Sequence, residues 1–94
     1  MSLEKRLEQR LRIAVKRRGG IALKFYCLSY TGMPDRIILM PGGKVYFVEL
    51  KSEYKKPSPR QAFVHEQLRQ LGFDVSYMNT EEQLTSFLDR IIQN

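Results

Sequence analysis

Cysteine and histidine each occur once in this 94-residue sequence, and tryptophan is absent. A lone Cys27 cannot close a disulfide within the chain, and one cysteine with one histidine cannot furnish a Cys/His zinc site. Any bound metal would therefore have to be held by oxygen, from carboxylates or carbonyls. Acidic residues are also in short supply: 10 Asp and Glu against 16 Lys and Arg leave a formal charge of +6. That balance suits a polyanionic partner such as nucleic acid, and it equally serves plain solubility. No stretch approaches the roughly eighteen consecutive apolar residues of a membrane span, and the opening Met1-Ser2-Leu3-Glu4-Lys5-Arg6 has no apolar run behind its charges. Secretion and membrane insertion are not expected. Cys27 reads as a small buried hydrophobe in the apolar run Ile21 to Leu28, which fits a reducing compartment.

With 43% apolar and 28% charged residues, the chain lies far from the composition of disordered segments. Its length allows one hydrophobic core, so a single domain over residues 1–94 is expected. Leu3, Leu7, Leu11, Ala14 and Val15 recur at helical spacing, predicting an amphipathic helix from Leu3 to Arg18 ahead of Gly19-Gly20. On that helix Glu4 falls inside the apolar stripe and Glu8 at its edge, with an i,i+4 pairing such as Glu8 to Arg12 as the ordinary explanation. Ile21 to Leu28 reads as a strand of mixed burial, and residues 29–34 as a loop. Two β-rich runs follow, from Asp35 to Met40 and from Lys44 to Leu50, separated by Pro41-Gly42-Gly43, and they predict a hairpin. If the three-residue loop joins Met40 directly to Lys44, position 37 pairs with 47 and 35 with 49. Asp35, Glu49 and Lys51 then share one face at the hairpin's open end. Ser52 to Pro57 is a polar loop. Ser58 as N-cap and Pro59 at the first helical position start a second helix, with Phe63, Val64, Leu68 and Leu71 as its expected buried face and Gly72 at its end. Phe73 to Met78 reads as a strand. Thr80-Glu81-Glu82-Gln83 has capping-box form before a last helix carrying Leu84, Phe87, Leu88 and Ile91. The order is α-β-β-β-α-β-α, and the β-α-β crossover over residues 44–78 implies a mixed sheet flanked by helices in an α/β fold.

Asp35, Glu49 and Lys51 carry the chemistry. Two carboxylates with a backbone carbonyl, such as that of Leu50, make an adequate open site for Mg²⁺ or Mn²⁺, which prefer oxygen ligands and keep several waters. Two residues beyond Glu49, Lys51 returns to the same face, where an ammonium can orient an attacking water, lower its pKa or stabilise developing charge. An E-x-K on a strand is commonly no more than a surface ion pair. Its placement opposite a proline-aspartate at the end of a hydrophobic hairpin is much rarer than its parts. Beside these residues Lys55, Lys56 and Arg60 are candidates for phosphate contact. Basic residues at 5, 6, 10, 12, 16, 17 and 18 line the first helix, and Tyr26, Tyr30 or Tyr54 could stack on unpaired bases.

Gly32-Met33-Pro34-Asp35, Val48-Glu49-Leu50-Lys51 and Ser58-Pro59-Arg60-Gln61 together resemble the motifs of the VRR-NUC nuclease family, over nearly the whole chain. The resemblance implies a restriction-endonuclease-like PD-(D/E)xK core and a DNA phosphodiesterase dependent on Mg²⁺ or Mn²⁺. Short free-standing members imply more: a homodimer cutting four-way (Holliday) junctions, in the cytoplasm of a bacterial or phage-infected cell. Flaps or other branched DNA are alternative substrates, and a non-catalytic nucleic-acid-binding module is the competing function. By resemblance the catalytic set is Glu8, Asp35, Glu49, Lys51 and Gln61, with Glu4 as the alternative to Glu8 and metal contacts from Asp35, Glu49, Glu8 and the Leu50 carbonyl. Gln61 has a plainer reading as capping partner of Ser58. His65, one turn further on, reads as a packing residue and stays outside the expected site.

Overall fold

A computed structural model describes residues 1–92. The elements run α1 (Leu3–Arg17), β1 (Ile21–Lys24), β2 (Arg36–Met40), β3 (Lys44–Leu50), α2 (Pro59–Gln70), β4 (Asp74–Met78) and α3 (Glu81–Ile92), the order that the periodicities predict. The four strands form one sheet in the order β1-β2-β3-β4. β1 and β2 pair antiparallel, as do β2 and β3, whereas β3 and β4 run parallel across the α2 crossover. The hairpin register is the expected one, with Met40 opposite Lys44 and Ile37 opposite Phe47. Gly42 and Gly43 both sit at positive φ, 84° and 76°, where a side chain would be strained.

Strand alternation sorts the sheet into two faces. One carries Ile38, Tyr46, Val48, Leu50 and Met78 against Leu7, Leu11 and Val15 of α1 and Leu84, Phe87, Leu88 and Ile91 of α3. Removing each such Leu, Val or Ile side chain from water contributes about 1.5–3 kcal/mol, so this layer dominates the stability. Arg10 fastens the two helices from outside through the Glu81 carboxylate at 3.0 Å. The opposite face presents Phe47, which meets Phe25 and Phe73 edge-on at 6.0 and 5.6 Å, and Glu49. Here α2 packs with Val64 and His65 buried.

Five expectations need correction. β1 stops at Lys24 rather than Leu28. Its partner β2 begins only at Arg36, because the residues before it form the Gly32 turn pressed against α2, so after a last bond from Phe25 N to Asp35 O at 2.8 Å the chain leaves the sheet and Leu28 is 99% exposed. Cys27, in that segment, is only half-buried, with its Sγ 3.7 Å from Ser29 Oγ. β2 begins at Arg36, with Asp35 just outside it, and β4 at Asp74 rather than Phe73. On α2 Phe63 and Leu71 are exposed, and the inward positions belong to Val64, His65 and, in part, Leu68. Phe63 instead lies beside the Arg60 guanidinium, 5.7 Å from its ring centre.

Candidate active site

Asp35, Glu49 and Lys51 converge at the open end of the β2–β3 hairpin, each placed there by a local cause. Gly32, at φ +95°, lets the preceding loop press against α2: a Cβ there would stand 2.9 Å from Val64 Cγ2 and 3.0 Å from the Arg60 carbonyl. Pro34 is fully buried behind it. Asp35 emerges from this anchored turn, and its Oδ1 accepts from the Leu50 amide at 3.3 Å, which locks the aspartate to the end of β3. Its Oδ2 lies 3.4 Å from Arg36 Nη1. Lys51 continues the parallel register, donating its amide to Met78 O at 2.9 Å. Its ammonium stands 3.7 Å from Glu49 Oε2.

Glu49 is the unusual member. It is 4% exposed, and its Oε1 has no hydrogen-bond partner, an exception among buried carboxylates. Burial above all, then the neighbouring Asp35 charge, push its carboxyl from the ordinary 4.5 to about 7, against the pull of Lys51. Asp35 is also raised by burial, with Arg36 and the Leu50 amide opposing. Two acids that resist ionisation side by side are short of positive charge. A hard divalent cation supplies that charge, and the unpartnered oxygen offers a ligand, so these residues suit one in which water or substrate oxygens complete the coordination. Among the described residues no group of three or more His, Cys, Asp or Glu stands close enough to hold a metal by itself.

The helix acids separate. Glu4 is half-buried, and its negative charge is among those that raise Asp35, which brings the first turn of α1 to the site. Glu8, one turn further along, pairs with Arg12 at 3.5 Å and is not among the charges acting on Asp35 or Glu49. Gln61 completes a reciprocal capping box: its side-chain Oε1 accepts from the Ser58 backbone amide at 2.9 Å and its backbone N–H donates to Ser58 Oγ at 3.1 Å. Arg60 donates from Nε to the Thr31 carbonyl at 3.1 Å and lies over the Tyr30 ring. Tyr30 in turn donates its hydroxyl to Gln67 Oε1 at 2.6 Å. Lys55 and Lys56 are exposed on the loop after β3, beside a Tyr54 that is 89% exposed at φ 65°. The residue that the sequence left outside is His65. It is 1% exposed, and its Nε2 is 3.9 Å from Glu49 Oε1. The available signal was its position four residues after Gln61 and next to inward-facing Val64.

A hairpin that joins a proline-aspartate to an E-x-K strand, with an acid-bearing helix before it and a Ser-Pro-capped helix after it, can be compared with known proteins. The VRR-NUC domain family model matches residues 1–82, which include all of these parts. This chain belongs to the VRR-NUC nuclease family. It is 38% identical over 88 residues to "Putative nuclease p44" of Acyrthosiphon pisum secondary endosymbiont phage 1, covering 94% of each chain. It also superposes on a solved VRR-NUC domain structure with a TM-score of 0.87 at 28% identity, over 95% of this chain and 97% of that one. No helix among the described residues is long and apolar enough to cross a membrane.

Proposed function

We propose that this VRR-NUC nuclease hydrolyses DNA phosphodiester bonds with Mg²⁺ or Mn²⁺, held by Asp35, Glu49 and the Leu50 carbonyl. One observation carries the reading: the buried, unpartnered Glu49 Oε1 beside Asp35 and Lys51. When bound, the cation supplies Lewis-acid stabilisation of the charge that grows on the phosphoryl oxygens. The chain's own residues do the rest. Asp35, fastened to the Leu50 amide, sets the spacing between the two acids. The Lys51 ammonium, on the same face as Glu49, orients the attacking water and offsets negative charge. Of the two helix acids, Glu4 is the better supported third acid, because its charge acts on Asp35 while that of Glu8 is taken up by Arg12. Gln61, with its carbonyl engaged in the cap, keeps only its amide N–H groups for a phosphate or water.

Lys55, Lys56 and Arg60 contact the phosphates that flank the cut. Four-way junctions, cut by a homodimer, are the proposed substrate, since two symmetric incisions need two symmetric sites. Support for self-association comes from exposed apolar side chains on α2 and the loop after β1: Tyr26 78%, Leu28 99%, Phe63 57% and Leu71 73%. The decisive experiment is a cleavage panel of junction, flap, nicked and linear DNA with Mg²⁺, Mn²⁺ or EDTA. Cutting is expected only with metal and strongest on the junction, and Asp35→Asn or Lys51→Ala abolishes it while binding stays measurable. Binding without cutting by the wild type on every substrate would instead identify a non-catalytic module. A monomer by light scattering, unchanged by DNA, would replace junction resolution with single-strand incision.

A further inference from the structure

Three buried side-chain atoms among the described residues lack a hydrogen-bond partner: Arg36 Nε, Glu49 Oε1 and His65 Nε2. Two of the three face each other. His65 Nε2 lies 3.9 Å from Glu49 Oε1, about 1 Å beyond the length of a formed N–H···O bond. Buried polar atoms are almost always paired, and an apolar side chain at position 65 would spare α2 a desolvated nitrogen next to Val64, which is itself fully buried. Filling space therefore does not account for an imidazole here. The other oxygen of the same carboxylate is held by Lys51 at 3.7 Å, so Glu49 is approached from two sides by donors, neither at full contact.

We propose that His65 is a positioning residue for Glu49: its Nε2–H closes on Oε1 when the carboxylate takes up a divalent cation, fixing the rotation of the carboxylate plane. The proposal rests on the metal-dependent reading of the site. The imidazole is suited to the role by its place: its buried Nε2 faces the one Glu49 oxygen that lacks a partner. A neutral ring carries a single N–H, and with Nε2 as its carrier that proton is aimed at the acceptor lacking one. Partners that orient a metal-ligating group in this way typically change metal affinity 10- to 100-fold when removed.

Titration of the full chain with Mn²⁺ alone, followed by calorimetry, tests the assignment without reference to cleavage. His65→Phe keeps the bulk and removes the donor, His65→Gln places an amide N–H near the position of Nε2, and His65→Asn carries an amide too short to reach it. We expect Phe and Asn to weaken Mn²⁺ binding roughly 10- to 100-fold and Gln to return it to within a few-fold of wild type, while urea midpoints without metal do not follow that order. Should Phe fail to fold, the Gln and Asn pair carries the comparison. Equal Mn²⁺ affinity in all variants, or equal loss in Gln and Asn, would overturn the positioning role. A wild type that binds Mn²⁺ with this pattern but cuts no DNA would overturn the DNA-nuclease reading instead.

Discussion

Replacing Glu49 by glutamine should make the metal-free protein more stable while removing its activity. Raising a carboxyl from 4.5 to about 7 corresponds to about 3 kcal/mol between its two protonation states. Glu49 is nearly solvent-free, so little of that is screened away. The sign follows from proton linkage. The unfolded chain releases this proton near 4.5 while the folded one keeps it up to about 7. The stabilisation it contributes is thus fully present below 4.5 and lost as the pH rises through 7. Asp35, also raised, acts in the same sense. His65, lowered from 6.5, acts oppositely, losing its contribution as the pH falls through its folded value. The comparison of Glu49→Gln with wild type cancels most of both. Urea unfolding in EDTA should show the variant more stable by about 1–3 kcal/mol at pH 8, with the difference closing as the pH falls towards 4.5. Excess Mg²⁺ should offset most or all of the difference: a hundredfold excess over Kd stabilises a binding-competent fold by about 2.7 kcal/mol, and only the wild type should gain it. A variant no more stable than wild type at pH 8 in EDTA, or a Mg²⁺ gain of equal size in both, would refute the reasoning.

Gly32→Ala places a side chain at φ +95° within 3.0 Å of Val64 Cγ2 and the Arg60 carbonyl. It should lower stability by about 2 kcal/mol or more in urea melts, and depress cleavage at temperatures where the fold persists, by displacing the turn that carries Asp35. Lys55→Ala and Lys56→Ala should each weaken binding to all DNA sequences alike and reduce the slope of log K against log salt by about 1. Fluorescence anisotropy between low and moderate salt would measure this, and an unchanged slope would remove these lysines from the interface.

Much of the fold was legible because it depends on short-range rules. The 3.6-residue recurrence of Leu7, Leu11 and Val15 marked α1, and all three are buried. A three-residue loop with two glycines determined the hairpin register, and with it which side chains of β2 and β3 share a face. Ser58 and Gln61 announced their own capping box. Local rules failed where a neighbour in space decides. The run Ile21 to Leu28 has strand composition, yet its second half finds no partner because the residues before Arg36 form a turn pressed against α2 instead of more of β2. The apolar Phe63 and Leu71 lie outside because α2 docks by a narrower strip, and the polar His65 takes the place such residues would fill.

From its residues alone this chain determined its element order, its hairpin register and the juxtaposition of Asp35, Glu49 and Lys51, since backbone sterics, turn length and strand alternation act over a few positions. Only the tertiary structure brings the first turn of α1, with Glu4, near Asp35, and leaves Glu49 buried with an oxygen bare before His65. Those facts depend on how α1 and α2 are laid against the end of the sheet. That placement is set by packing among residues far apart in the chain, which no local periodicity records.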